Sequence, residues 1–202
     1  MAEKVMLATY SGQTDSSGAP THPDARIIYE VTQDMGLEVD IVHQWVFNPN
    51  NALYMKESEL ERYDGIIYAN IYGYWDFTEL IASRRPFLTT CSTATIAVAL
   101  GNGMREHSHR EMFNIVNTAH PITNGLSPGS IDIGNPMWVD SVGTSNKKVD
   151  VLIEGESGDD VLVAHQDKRY AFFGFYRLSQ AGGSGDVDIR DLLNRTIRWM
   201  LD

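Results

Sequence analysis

Arg85-Pro86-Phe87-Leu88-Thr89-Thr90-Cys91-Ser92-Thr93-Ala94-Thr95-Ile96-Ala97-Val98-Ala99-Leu100 is the stretch whose reading decides the fold. Pro86 to Thr90 reads as a short buried strand. Thr93 to Leu100 reads as a helix of small and apolar residues, closed by Gly101 and Gly103. Cys91 sits between them and is the only cysteine among 202 residues. A tight strand-to-helix turn lifts its side chain above the sheet edge and aims the first N–H groups of the helix at the same point. A thiol there is expected to have its thiolate favoured by the helix N-terminus. The other reading of Cys91 is a small buried hydrophobe.

Working outward, short apolar runs alternate with helical patterns. Lys4 to Tyr10 and Glu38 to Phe47 read as strands, and Gly65 to Asn70 reads as a third, buried one. Ala25 to Met35 is helical, with Ile27, Ile28, Val31 and Met35 on one face, Asp24 as N-cap and Gly36 as stop. Trp75 to Ser83 is expected to be helical. Ser11 to Asp24 is a long polar loop, of the kind that is often functional or mobile. This order predicts an α/β fold with a mostly parallel, flavodoxin-like sheet and helices on both faces. The loops at the carboxyl ends of its strands gather on one edge, where such folds place their sites.

The second half is less regular. Met112 to Asn117 reads as a strand or a helix end, and Ile131 to Val142 as extended chain. Val149 to Glu154 and Asp160 to His165 read as strands. Gln166 to Lys168 joins the latter to Arg169–Phe175 as an extra β-hairpin. Asp188 to Leu201 is a closing amphipathic helix. The whole chain, 1–202, is expected to form one domain.

A net charge of −11 argues against nucleic acid and against an anionic membrane surface as partners. No apolar run approaches the roughly 20 residues of a membrane span, and the chain enters a strand pattern at once. A soluble, cytoplasmic protein is the expectation. No cluster has metal-ligand spacing, so neither a metal nor another cofactor is expected.

Four segments carry a resemblance. They are Arg85-Pro-Phe-Leu-Thr-Thr-Cys-Ser-Thr, Tyr63-Asp-Gly-Ile-Ile-Tyr-Ala-Asn, His120-Pro-Ile-Thr-Asn-Gly-Leu, and Arg169-Tyr-Ala-Phe-Phe-Gly-Phe ahead of a last helix ending in Arg198-Trp199. Together they resemble the class I glutamine amidotransferase-like superfamily, ThuA-like domains included. The resemblance implies Cys91 as nucleophile at a strand–helix elbow, with backbone N–H groups near Gly73 and Ser92 holding an oxyanion. It also implies a His-x-Glu after the final strand. The matching positions are Phe175, Tyr176 and Arg177, and the flanks of Cys91 are Thr90 and Ser92 where the family favours glycine. His22, in the first loop, and His120 are the substitute bases that the expected topology allows. His107 and His109 follow a helix that runs away from the site edge, and His165 lies at the far end of a strand.

Two functions therefore stay open. One is an amidotransferase-like enzyme acting on an amide. The other is a binding or assembly module, a subunit of a larger complex or particle. Tyr72, Tyr74 and Trp75 form an aromatic band beside the site edge. They suit a protein partner or homo-oligomer, or stacking on a small-molecule amide or sugar. At least one of the three is expected to be covered.

Overall fold

The computed structural model describes residues 3–69, 75–144, 148–181 and 185–202. In chain order the elements are β1 (Lys4–Thr9), α1 (Pro23–Asp34), β2 (Glu38–His43), α2 (Glu57–Leu60), β3 (Gly65–Tyr68), α3 (Thr78–Ser83), β4 (Phe87–Thr89) and α4 (Ser92–Ala97). Then follow β5 (Met104–Ile115), β6 (Gly129–Val142), β7 (Val149–Gly155), β8 (Asp160–His165), β9 (Tyr170–Phe173) and α5 (Ile189–Leu201). All nine strands join one sheet in the order β2-β1-β3-β4-β9-β8-β6-β5-β7.

The sheet is mixed, which corrects the expectation of a mostly parallel one. The pairs β1–β2, β1–β3, β3–β4 and β4–β9 are parallel. Every pairing from β8 outward is antiparallel. The reason lies in the connections. The first four strands are separated by crossovers that return the chain in the same direction, whereas β7, β8 and β9 follow one another through short turns that force a reversal. The hairpin expected over Asp160–Phe175 forms as β8 and β9. Met112 to Ile115 forms the end of β5, and Val116 and Asn117 follow it.

Residues on the parallel strands alternate between two cores. Val5 and Leu7 pack with Ile28 and Val31 of α1 and with Leu193, Ile197 and Met200 of α5. Met6 and Ala8 pack with Leu60 of α2, Leu80 of α3 and Ala94 of α4. Helices therefore cover both faces, and both sides of each strand must be apolar.

Asp24 is not the cap of α1. His22 holds that position, and Asp24 lies inside the first turn with its carboxylate fully buried. It accepts hydrogen bonds from Ser179 N (2.9 Å), Ser179 Oγ (2.6 Å) and Arg177 Nη1 (3.2 Å). The start of α1 is thereby tied to the segment after β9. The Ser11–Asp24 loop is ordered by Asp15, which accepts from Ser17 N, Ser17 Oγ, Ala19 N and Arg26.

Gly174 positions the antiparallel half against the parallel one. Its N–H donates to Val161 O and its carbonyl accepts from Asp140 N, both at 2.8 Å. A Cβ at this residue would stand 2.1 Å from Asp140 O. Only glycine permits so close an approach. With Arg177 N donating to Trp138 O, the end of β6 runs along the segment that leaves β9.

Candidate functional site

Cys91 is the extended residue (φ −109°, ψ 120°) between β4 and α4, at the carboxyl edge of the parallel strands. Thr89 shapes the bend from both sides. Its Oγ1 accepts from Cys91 N at 2.9 Å and donates to Cys91 O at 3.1 Å. The side chain is 2% exposed, with Sγ 2.9 Å from Thr93 Oγ1.

Burial pushes the Cys91 thiol above its ordinary pKa. Hydrogen bonds from Thr93 oppose that shift, and the nearby Asp140 carboxylate adds to it. Burial thus works against the favoured thiolate expected of the elbow. The helix behind the elbow has six residues, and desolvation outweighs what so short a helix contributes. Burial likewise raises Tyr68, whose hydroxyl is sequestered in the same core with no hydrogen-bond partner among the described residues.

Beside the elbow stands a polar network. Ser92 Oγ donates to Asp140 Oδ2 at 3.0 Å, and Asp140 Oδ1 lies 2.5 Å from His107 Nδ1. Ser92 and Asp140 are buried, while His107 is about one-third exposed. The His107 ring stacks on Trp138 with centroids 4.7 Å apart and planes 17° apart, and meets Tyr176 edge-on. The His109 ring also meets Trp138, tilted by 43° with centroids 5.5 Å apart. Sequence reasoning missed His107. The helix that was to carry it away stops at Ala97, Ala99 turns the chain at φ +60° and Gly103 at φ +87°, and β5 returns. Antiparallel pairing then sets His107 opposite Asp140. The available signal was His107-Ser-His109, two histidines at the spacing of one strand face.

His22 caps α1, with Nδ1 3.8 Å from Asp24 Oδ2. The His120 ring packs on Trp199 at 5.1 Å. The end of α5 that carries Trp199 packs on Gly65, where β3 begins, so His120 lies toward the amino edge, opposite Cys91. Its pKa is lowered, chiefly by burial. His165 ends β8 and is buried against Tyr170. Tyr72, Gly73 and Tyr74 fall outside the described residues. Trp75 is half-buried against the core that holds Cys91. Among the described residues, no three His, Cys, Asp or Glu side chains group as metal ligands, and no helix is long and apolar enough to cross a membrane.

After β9, Phe175 is fully buried, Tyr176 packs against His107 and Arg177 pairs with Asp24. These are the positions where the resemblance implies a histidine and a glutamate.

No family model matches the chain, and no curated protein does. Solved structures do. A structure described as ThuA-like from Bacteroides uniformis aligns at TM-score 0.68 and 14% identity, over 98% of this chain and 91% of that one. The glutaminase domain of Trypanosoma brucei CTPS, with bound acivicin, aligns at 0.63 and 9%, over 98% and 94%. A glutamine amidotransferase from Thermotoga maritima aligns at 0.61 and 9%, over 100% and 99%. The chain has a class I glutamine amidotransferase-like fold.

Proposed function

We propose that this chain keeps the amidotransferase-like fold without hydrolysing glutamine, and that it works by binding. The observation behind this reading is the segment after β9. Tyr176 is packed on an aromatic neighbour and Arg177 is committed to a buried carboxylate, so neither position supplies a base. The state of Cys91 supports the same conclusion. A buried thiol with a raised pKa is protonated at neutral pH, and the thiolate is the nucleophile. The Ser92–Asp140–His107 network then serves structure, tying α4 to β5 and β6. The test is ammonia release from glutamine by the full chain and by Cys91→Ala. Equal background release is expected. Turnover that Cys91→Ala abolishes would overturn the reading.

One observation favours a second, enzymatic reading. A buried carboxylate holding Nδ1 of a partly exposed histidine is how a general base is oriented. That reading requires amide turnover lost in both Cys91→Ala and His107→Gln.

A further inference from the structure

The amino edge of the sheet, opposite Cys91, carries a cleft of about 760 Å³. Two loops build it. One runs from α3 into β4 and supplies Arg84 and Pro86; the other is the β8–β9 turn and supplies Lys168 and Arg169. Their relative position is fixed by parallel pairing of Phe87 with Tyr170 and by the bond from Phe87 N to Arg169 O at 2.8 Å. Ile81 of α3 and Tyr170 complete the wall.

The charge of this cleft runs against that of the chain. In a protein of net charge −11, many cations have acidic partners: Lys4, Arg26, Lys56, Arg110, Lys148, Arg177, Arg190 and Arg195 all form ion pairs. Among the described residues, Arg84, Lys168 and Arg169 have none. Neighbouring Arg85 has none either, and its Nε is sequestered without a hydrogen-bond partner. Aromatic rings hold two of these cations instead. Lys168 Nζ lies 5.1 Å from the Tyr170 ring centre, and the Arg169 guanidinium 5.1 Å from that of Trp199. An aromatic face orients a cation without neutralising it, so charge and N–H donors stay available. The one acidic lining residue, Asp167, is engaged by Lys148 at 2.6 Å. Arg84 also holds a left-handed backbone, φ +54°, which disfavours any residue but glycine.

We propose that this cleft binds a small phosphate-bearing molecule, a site separate from the Cys91 elbow and independent of how the elbow is read. The Arg84 guanidinium and the Lys168 ammonium supply charge and N–H donors for a phosphate dianion, and Arg favours phosphate through paired N–H bonds. Ile81, Ala82 and Pro86 offer an apolar wall for the organic part. The volume falls in the range of small-molecule sites, about 300–1,000 Å³.

The test is calorimetric titration of the full chain with phenyl phosphate at low salt. Binding is expected, weaker for inorganic phosphate, which lacks the ring, and weaker again as salt is raised. Arg84→Gly and Lys168→Gln are each expected to weaken it roughly tenfold, the worth of one charge-assisted hydrogen bond. Arg84→Gly removes the charge at a backbone that glycine adopts freely, so its unfolding midpoint stays level or rises, and lost binding then reads the site. Cys91→Ser should bind as the parent does, which separates this proposal from that for the elbow. Absence of binding at millimolar phenyl phosphate would overturn it, as would equal affinity in parent and both variants. Binding of an acidic peptide in place of the phosphate ester would overturn it too.

Discussion

Gly174→Ala is predicted to destabilise the protein by about 2–6 kcal/mol, because the new Cβ has nowhere to go. It would stand 2.1 Å from Asp140 O and 2.8 Å from Val161 O, both backbone atoms of neighbouring strands. Neither can rotate away, so β6 or β9 must shift. That shift stretches the bonds from Asp140 N to Gly174 O and from Gly174 N to Val161 O, each 2.8 Å now. Two weakened hydrogen bonds cost about 0.5–1.5 kcal/mol apiece, and forced overpacking adds about 1–3 kcal/mol. Gly158→Ala is the control. Its φ of +73° is left-handed but nothing lies within 4 Å, so only the backbone penalty of about 1–2 kcal/mol applies. Urea unfolding followed by far-ultraviolet circular dichroism measures both. A loss below about 1 kcal/mol at Gly174, or one no larger than at Gly158, would refute the reasoning. It would mean that β6 is not held against the end of β9, and the placement of Asp140 beside Ser92 would lose its basis.

Asp24→Ala should cost about 2–4 kcal/mol in the same assay. It removes the buried acceptor of three hydrogen bonds, while the partly exposed Arg177 recovers some hydration; a loss under about 0.5 kcal/mol would show that the tie between α1 and the post-β9 segment is idle. Burial, helped by Arg169 and opposed by Asp150, holds His120 below its ordinary pKa of about 6.5. Below that pH the unfolded chain binds the proton more readily, so stability should fall on acidification from pH 7.5 to 5.5. His120→Gln should shrink the fall, and an unchanged difference between the two pH values would contradict the assignment.

The parallel half was legible because its strands are covered on both faces. Val5 to Ala8, Ile66 to Tyr68 and Phe87 to Leu88 must be apolar without interruption, and such runs stand out between polar loops. The elbow followed from the change of pattern at Cys91. The antiparallel half was harder to read. From Met104 to Arg110, β5 is exposed or half-exposed on both sides, so no apolar alternation marks it, and register shifts in its pairing with β6 interrupt the period of two. The network beside Cys91 depends on that strand, hence the absence of His107 from the expected site. Its partner Asp140 is 33 residues away, and the approach that sets it in place passes over Gly174. Neither link is local, so no window of sequence contains it. Asp24 shows the reverse error. An acidic residue ahead of a helical pattern reads as a cap, yet tertiary partners 153 and 155 residues away claim its carboxylate.

The central claim is that Cys91 sits at the elbow as a buried, protonated thiol. Thiolate absorbance near 240 nm, recorded against pH for the folded parent minus Cys91→Ser, tests it most directly. The account predicts a midpoint above the ordinary value of 9.0, since burial is the largest influence on the group. A midpoint below about 7, the range of activated cysteines, would contradict it.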